Sequence, residues 1–381
     1  MALDVPTIDS LGGQCTSGPH TSIATEGATS SQVNTMASPK DVTPAGRIFP
    51  NGEPMFITPW PEDVLADIGA CAAVFDDIEK IRIANENRLR QFTRPKDQVD
   101  KDGKHRGYGW TITNVAVQKL AAQVLRMKCD STVALEALGE RKPPKHLACC
   151  LEDDAERNLT RALRAHPLGT WVLGKEQKGI GPKQGARLLG VIGDPYVRPE
   201  MKTTDGEREP MRPRTIDELR AYCGYGEDKS RPGRIQKRRR GQRSNWNGAA
   251  KMRAYLVAKQ CMISGFDKKR GCVRDEGDDF ATHSSQCQCS PYRLIYDRER
   301  VRYADAVHDE ECPQCGPEGR PAQPGSPLSQ GHKKNRALRR VAKEILDDLW
   351  REARRIHLET PVGGQMEVDT HRVGAVDGAN P

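Results

Sequence analysis

The sequence predicts a mainly α-helical protein: a helical spacer or bundle followed by a helix-hairpin-helix DNA-binding domain, with disordered termini. Apolar residues recur at steps of mostly three and four over long stretches. A Gly-rich hairpin lies between two helical patterns, and both ends are rich in small and polar residues. With 381 residues, the chain is long enough for two or three domains at roughly one per 100–200 residues.

The elements follow in order. Residues 1–60 hold few large apolar side chains and are expected to form a disordered tail. From Glu62, the series Val64, Ile68, Cys71, Phe75, Ile78, Asn85, Leu89 and Phe92, between Pro61 and Pro95, predicts a long amphipathic helix. Thr113 or Asn114 can cap a second helix carrying Val117, Leu120, Val124 and Leu125, and a third is predicted from about Leu147 to Trp171. Residues 61–175 thus form the helical spacer, most simply a bundle core, since so few heptads do not specify a coiled coil. The domain at 176–357 begins with short helices up to Tyr225 and continues through a basic stretch to a helix over Gly248–Ile263. A Cys-rich and Gly-rich loop insertion is expected at about 264–331. A last helix runs over Asn335–His357, with Leu338, Val341, Ile345, Leu346 and Leu349 on one face, before a second disordered tail at 358–381.

Composition narrows the function classes. The net charge is +8, the mean hydropathy −0.72 and the isoelectric point near 8.9. This balance favours a polyanionic partner, above all DNA, once the charge is located. No apolar run approaches the ~20 residues needed to cross a bilayer, and the N-terminus has no basic segment followed by an apolar one. Twelve cysteines without such a leader read as reduced thiols or metal ligands, which gives a cytoplasmic protein with no membrane partner.

Three segments carry chemistry. In Lys178-Gly179-Ile180-Gly181-Pro182-Lys183, Gly179 and Gly181 allow a tight turn whose N–H groups can hold a phosphate at a helix N-terminus, with Lys183 adding a charge. The alternative is a Gly-rich helix–helix turn without a ligand. Residues 229–247 hold Lys229, Arg231, Arg234, Lys237, Arg238, Arg239, Arg240 and Arg243 with no acid, and Trp246 adds a flat ring. Such density suits a nucleic-acid backbone, against the alternative of a solvated face. In the Cys-rich region, Cys272, His283, Cys287, Cys289, His308, Cys312 and Cys315 are candidate ligands, with Cys312-Pro313-Gln314-Cys315 spaced for one tetrahedral zinc. Cys287-Gln288-Cys289 can complete that set, so Cys287, Cys289, Cys312 and Cys315 are the expected structural zinc site; free thiols in a loop are the alternative.

The order of motifs resembles the C-terminal domain of insertion-sequence-110 family transposases. The hairpin, then Leu188-Leu189-Gly190-Val191-Ile192-Gly193-Asp194, then Leu219-Arg220-Ala221-Tyr222-Cys223-Gly224-Tyr225, then the basic loop and Asn247-Gly248-Ala249-Ala250-Lys251-Met252-Arg253 follow that family's succession. The segment from His332-Lys333 through Ala337-Leu338 to Ala342-Lys343-Glu344-Ile345-Leu346 is similar to its closing helix. The likeness covers about Leu159 to Trp350, with the Cys-rich loop as an insertion.

The resemblance implies a protein of DNA transposition or recombination, with structured RNA as an alternative partner because some family members are RNA-guided. It further implies a serine nucleophile, for which Ser230 is the nearest match and Ser244 the second, with Arg231 and Arg234 to stabilise charge. Family enzymes also begin with a RuvC-like nuclease domain holding four metal-binding acids. No acidic tetrad or buried-strand pattern precedes the first helix here, so no strand cleavage is expected from the isolated chain. A strand-transfer role would call on a nuclease subunit in trans; a homo-oligomer is the other assembly expected.

Overall fold

Several helix boundaries in this chain fall where a side chain satisfies free N–H groups of a first turn, as at Asn114, Thr215, Asn247 and Ser290, or where proline forbids continuation. The structure, a computed structural model, describes residues 59–359 apart from 98, 100–102, 104–106, 144–149, 175–178, 203–205, 229–230, 236–245, 268–271, 275–279 and 317–319. Almost all of both predicted disordered tails lies outside the described residues. Helix α1 (Glu62–Thr93) opens on Glu62 and Asp63, which face the positive end of the helix dipole, and stops two residues before Pro95. Asn114, rather than Thr113, caps α2 (Val115–Met127), its side chain accepting the Ala116 N–H at 2.9 Å. A short α3 (Thr132–Leu138), not foreseen in the sequence, ends on Gly139 in the left-handed region.

The single helix expected over Leu147–Trp171 is corrected to two, α4 (Leu151–Ala165) and α5 (Gly169–Leu173). Pro167 is the cause: its ring forces the preceding His166 to an extended ψ of 138°. Helix α6 (Pro182–Ile192) starts on a proline at its first position and leads into a nested hairpin. There β1 (Val197–Arg198) pairs with β4 (Arg212–Pro213), and β2 (Met201–Lys202) with β3 (Arg208–Glu209), both antiparallel. Helix α7 (Ile216–Tyr222) carries a capping box of Thr215 and Glu218. Hydrogen bonds from Arg212 hold the Glu218 carboxyl well down, at about 2.

Strands β5 (Glu227–Asp228) and β6 (Arg231–Ile235) form a bulged hairpin before α8 (Gly248–Ser264), whose cap is Asn247. A further hairpin of β7 (Val273–Arg274) and β8 (Ala281–Thr282) precedes α9 (Pro291–Arg302), a helix inside the region expected to be loop. Helix α10 (Gln330–Glu359) starts five residues earlier than expected and runs two further.

One continuous core joins α1, α4, α6, α8, α9 and α10. Helix α10 contributes Leu338, Val341, Ile345, Leu346 and Leu349, as its periodicity predicts, and α8 contributes Ala250, Ala254, Val257 and Ala258. Helices α1 and α6 meet at Gly69 and Gly190; a Cβ on Gly190 would lie 2.9 Å from the Ala72 Cβ and 3.0 Å from the Ile68 carbonyl. The far end of α1 packs a separate small cluster with α2 and α3, around Leu89, Val124 and Leu125.

Buried polar pairs fix the register of these helices. Asp76 on α1 forms an ion pair with Arg187 of α6 at 2.5 Å and another with Arg253 of α8; the two arginine side chains are 4% and 5% exposed. Glu79 adds a second carboxylate to Arg187 at 2.6 Å. Arg82 joins α1 to α4 through Glu152 at 2.7 Å. At the other end of the core, Asp194 receives the Tyr196 and Val197 N–H groups and pairs with His357 of α10 at 2.6 Å. His357 stacks on the buried Trp60 at 4.7 Å, and His166 meets the same ring edge-on at 5.2 Å.

Two outcomes follow for stability. Asp76→Ala removes the only ion-pair partner found for Arg253 among the described residues and leaves a buried charge uncompensated; about 3–5 kcal/mol should be lost, read as a lower urea midpoint with unchanged slope. Burial lowers His166 to about 4, with Asp194 partly opposing. The unfolded chain takes up this proton from about pH 6.5 downward and the folded one only near 4, so stability is full above 6.5 and falls on acidification towards 4. The expected loss is about 3 kcal/mol. His166→Asn, whose oxygen can still accept the Leu168 N–H, should flatten that slope in urea titrations at pH 7 and pH 5.

Candidate metal centres and basic face

The predicted four-cysteine site does not form. The structure divides Cys287, Cys289, Cys312 and Cys315 between two groups, each completed by local partners: Cys272, His283, Cys287 and Cys289 in one, and His308, Cys312, Cys315 and His332 in the other. Within each group the four donor atoms all lie within 4.8 Å of one another, an arrangement that can hold a metal ion. The reason for the division is α9, which stands between the two cysteine pairs as an ordered helix rather than a flexible connection. All seven candidate ligands named from the sequence join one of the two groups, and His332 completes the second. His332 was legible only as a helix residue.

The first group is built on the β7–β8 hairpin, with Cys272 just before β7 and His283 just after β8. The Cys289 and Cys272 sulfurs are 3.7 Å apart, and the Cys287 sulfur is 3.7 Å from His283 Nδ1. His283 Nε2 lies 2.7 Å from Asp297 Oδ2, so a proton held there leaves the Nδ1 lone pair directed at the cluster. Asp297 is itself fixed by Arg293 at 2.6 Å and by the Ala281 N–H at 3.1 Å. The Asp267 N–H reaches the Cys289 sulfur at 3.2 Å. Without a cation, burial pushes the Cys289 thiol up to about 12, with Cys272 adding to the effect.

The second group is built on the turn Cys312-Pro313-Gln314-Cys315, where the Cys315 N–H approaches the Cys312 carbonyl at 3.4 Å. Cys312 and Ala322 exchange both backbone hydrogen bonds, at 2.9 and 2.8 Å, which brings the chain back beside the turn. The Cys315 sulfur lies 3.4 Å from Nδ1 of His332, on the first turn of α10. His308 is 3% exposed, and its Nε2 has no hydrogen-bond partner among the described residues. A third set, Cys129, Cys150 and Asp153, offers three donors.

The expected phosphate-binding residues are placed as follows. Gly179 has φ 103° and sits against α8, where a Cβ would lie 3.0 Å from the Cys261 Cα. Gly181 is the residue before α6 and has φ −71°. The Lys183 ammonium pairs with Glu156 at 2.9 Å and lies 4.3 Å from the Phe75 ring centre. Lys237, Arg238, Arg239, Arg240 and Arg243 lie outside the described residues, as do Ser230 and Ser244. Only the backbone of Arg231 and Arg234 is described, on β6. Trp246 is half-buried, with the Lys251 ammonium 4.5 Å from its ring centre.

Lys251 belongs to a basic face that the sequence reading missed. Lys251 on α8 and Arg339 on α10 are close enough to repel: burial first, then Arg339, push the lysine down from its ordinary value. Burial and then Arg336 do the same to Arg339. Lys343 is lowered by burial and then by Arg220. Helical spacing places Arg336, Arg339 and Lys343 on one side of α10. That spacing was visible in the sequence, but not that α8 would lie beside it. No family model, curated protein or solved structure matches the chain.

Gly179 and Gly181 separate by experiment. Gly179→Ala meets both a left-handed backbone and the Cys261 Cα, and should destabilise by about 1–3 kcal/mol. Gly181→Ala, whose nearest new neighbour is 3.8 Å away, should change the melting temperature little. Thermal unfolding followed by circular dichroism checks both.

Proposed function

We propose that this protein binds DNA through the phosphate backbone, with little sequence preference, and that zinc is the ion of its Cys and His loops. The carrying observation is the basic cluster of Lys251, Arg336, Arg339 and Lys343: burial and then Arg339 lower Lys251, burial and then Arg336 lower Arg339, and burial and then Arg220 lower Lys343. Like charges gathered and partly desolvated on one face are unfavourable in the isolated protein, and a chain of phosphates relieves that cost. The basic segment adds charge close by in sequence: between β6, which ends at Ile235, and Trp246, which lies against Lys251, the chain carries Lys237, Arg238, Arg239, Arg240 and Arg243.

The succession of motifs similar to insertion-sequence-110 transposases favours DNA as the polymer and transposition or recombination as the setting. Zinc is favoured by the donors: thiolate with imidazole in sets of four suits a tetrahedral, redox-inert ion better than a hard oxygen-seeking one. The loops then serve as supports for the DNA-binding face.

Binding to a fluorescent DNA duplex should weaken steeply with salt, and equally for unrelated sequences. Replacing Arg238, Arg239 and Arg240 together by Ala should flatten the plot of log affinity against log salt by about two to three. Lys251→Gln with Arg336→Gln should weaken binding by a similar factor on every sequence, because these side chains would meet phosphate and not base edges. Unchanged affinity and slope in both variants would remove this face from the interface. Tighter binding of a matched RNA duplex would transfer the reading to RNA.

A further inference from the structure

We infer that each chain binds two zinc ions in separate tetrahedral sites, one formed by Cys272, His283, Cys287 and Cys289 and the other by His308, Cys312, Cys315 and His332, and that the second ion pins the first turn of α10. This deepens the zinc reading above and rests on it, but it does not depend on DNA binding.

The interatomic distances support one ion in each group. Two sulfurs on a tetrahedral zinc, with bonds of about 2.3 Å, stand about 3.8 Å apart, and a sulfur and an imidazole nitrogen about 3.6 Å apart. The corresponding separations are 3.7 Å for Cys289 to Cys272, 3.7 Å for Cys287 to His283 and 3.4 Å for Cys315 to His332. A disulfide would need about 2.05 Å, so the two sulfurs are unbonded at the spacing a shared ion requires. A shared site made of both cysteine pairs would leave His283 and His332, each already beside a sulfur, without a role.

The surroundings point the same way. Asp297 holding His283 through Nε2, with Arg293 behind it, is the carboxylate–histidine arrangement that orients a metal-bound imidazole. The Asp267 N–H at the Cys289 sulfur is a donor that suits a thiolate. In the second group, buried Nε2 of His308 has no hydrogen-bond partner among the described residues, and an ion would supply one.

Position in the fold assigns the two ions different tasks. Residues 265–290 join α8 to α9, and residues 303–329 join α9 to α10. Each connection exceeds the ~12–15 residues beyond which structureless loops are uncommon in compact domains. An ion in each supplies the cross-link that little apolar burial provides there. Only the second takes a ligand from a core helix: His332 lies one turn before Arg336 and two before Arg339, so its ion fixes the end of α10 that bears the basic face.

Native mass spectrometry of the full chain, purified without chelators and reloaded with zinc, should show two ions. Cys289→Ser and Cys315→Ser should each retain one, and the double variant none. One ion in the wild type, abolished by either substitution, would overturn the two-site inference while leaving zinc binding intact. No ion at all would overturn both. Stepwise chelation of the wild type, which needs no variant to fold, should pass through a one-ion species; a direct fall from two to none, or a single ion from the start, counts against independent sites. Hydrogen exchange should rise over residues 330–338 in Cys315→Ser and not in Cys289→Ser; the reverse would overturn the assignment of the second ion to α10.

Discussion

The arrangement depends first on Asp76, a carboxylate on α1 shared by two buried guanidiniums from α6 and α8. Desolvating three charges is expensive, and an apolar trio of similar volume would cost no more; what the network supplies is register. Small residues such as Gly69, Gly190, Ala254 and Ala258 let the helices approach closely, and smooth surfaces of that kind can slide. Arg187 and Arg253 reach Asp76 in one alignment only. The alignment places the N-terminal half of α8 where Lys251 meets α10.

From that point the other polar pairs extend the same constraint. Arg220 of α7 reaches Asp347 of α10 at 2.7 Å, and Tyr292 of α9 donates to Asp348 at 2.9 Å. Asp194, at the exit of α6, takes His357 near the end of α10. Helix α10 is thus held laterally by three elements while its apolar stripe supplies the burial. The polar pairs choose among packings that hydrophobic area alone would leave nearly equal.

The helices with an apolar face were legible in the sequence, and the exceptions have a common cause. Helix α1 declares itself through Ile68, Phe75 and Leu89, and α10 through Leu338, Val341 and Ile345. Helix α9 escaped because its buried residues are Tyr292, Arg293, Tyr296, Asp297, Glu299 and Arg300: a charged face that no hydropathy pattern marks as interior. Once α9 is missed, its flanks read as one long loop, and the two nearest cysteine pairs read as one site. Each closely spaced cysteine pair stays together in one group, and the partition of the two pairs follows a helix whose buried face is largely charged. The basic face was missed for a related reason, since it joins α8 to α10 across about 80 residues of chain and only tertiary packing brings them together.

A face crowded with cations needs a scaffold that cannot relax to separate them. Repulsion between Arg339, Arg336 and Lys251 would be relieved by a small displacement of the start of α10 away from α8. At its C-terminal end α10 is fixed by His357, clamped between the Asp194 carboxylate and the Trp60 ring. At its N-terminal end the corresponding anchor is His332, beside the Cys315 sulfur. With zinc there, a histidine would secure each end of the helix, and the charges between would stay close enough to select a polyanion. Without it, the first turns of α10 would rest on hydrogen bonds such as those of Lys333 to the Ala304 carbonyl, of Arg300 to Gln330 and of Tyr255 to Asn335. Those bonds are exchangeable with water and individually worth about 1 kcal/mol. If the face binds phosphate as proposed, a metal ion is the stronger restraint for holding it in shape before the phosphate arrives.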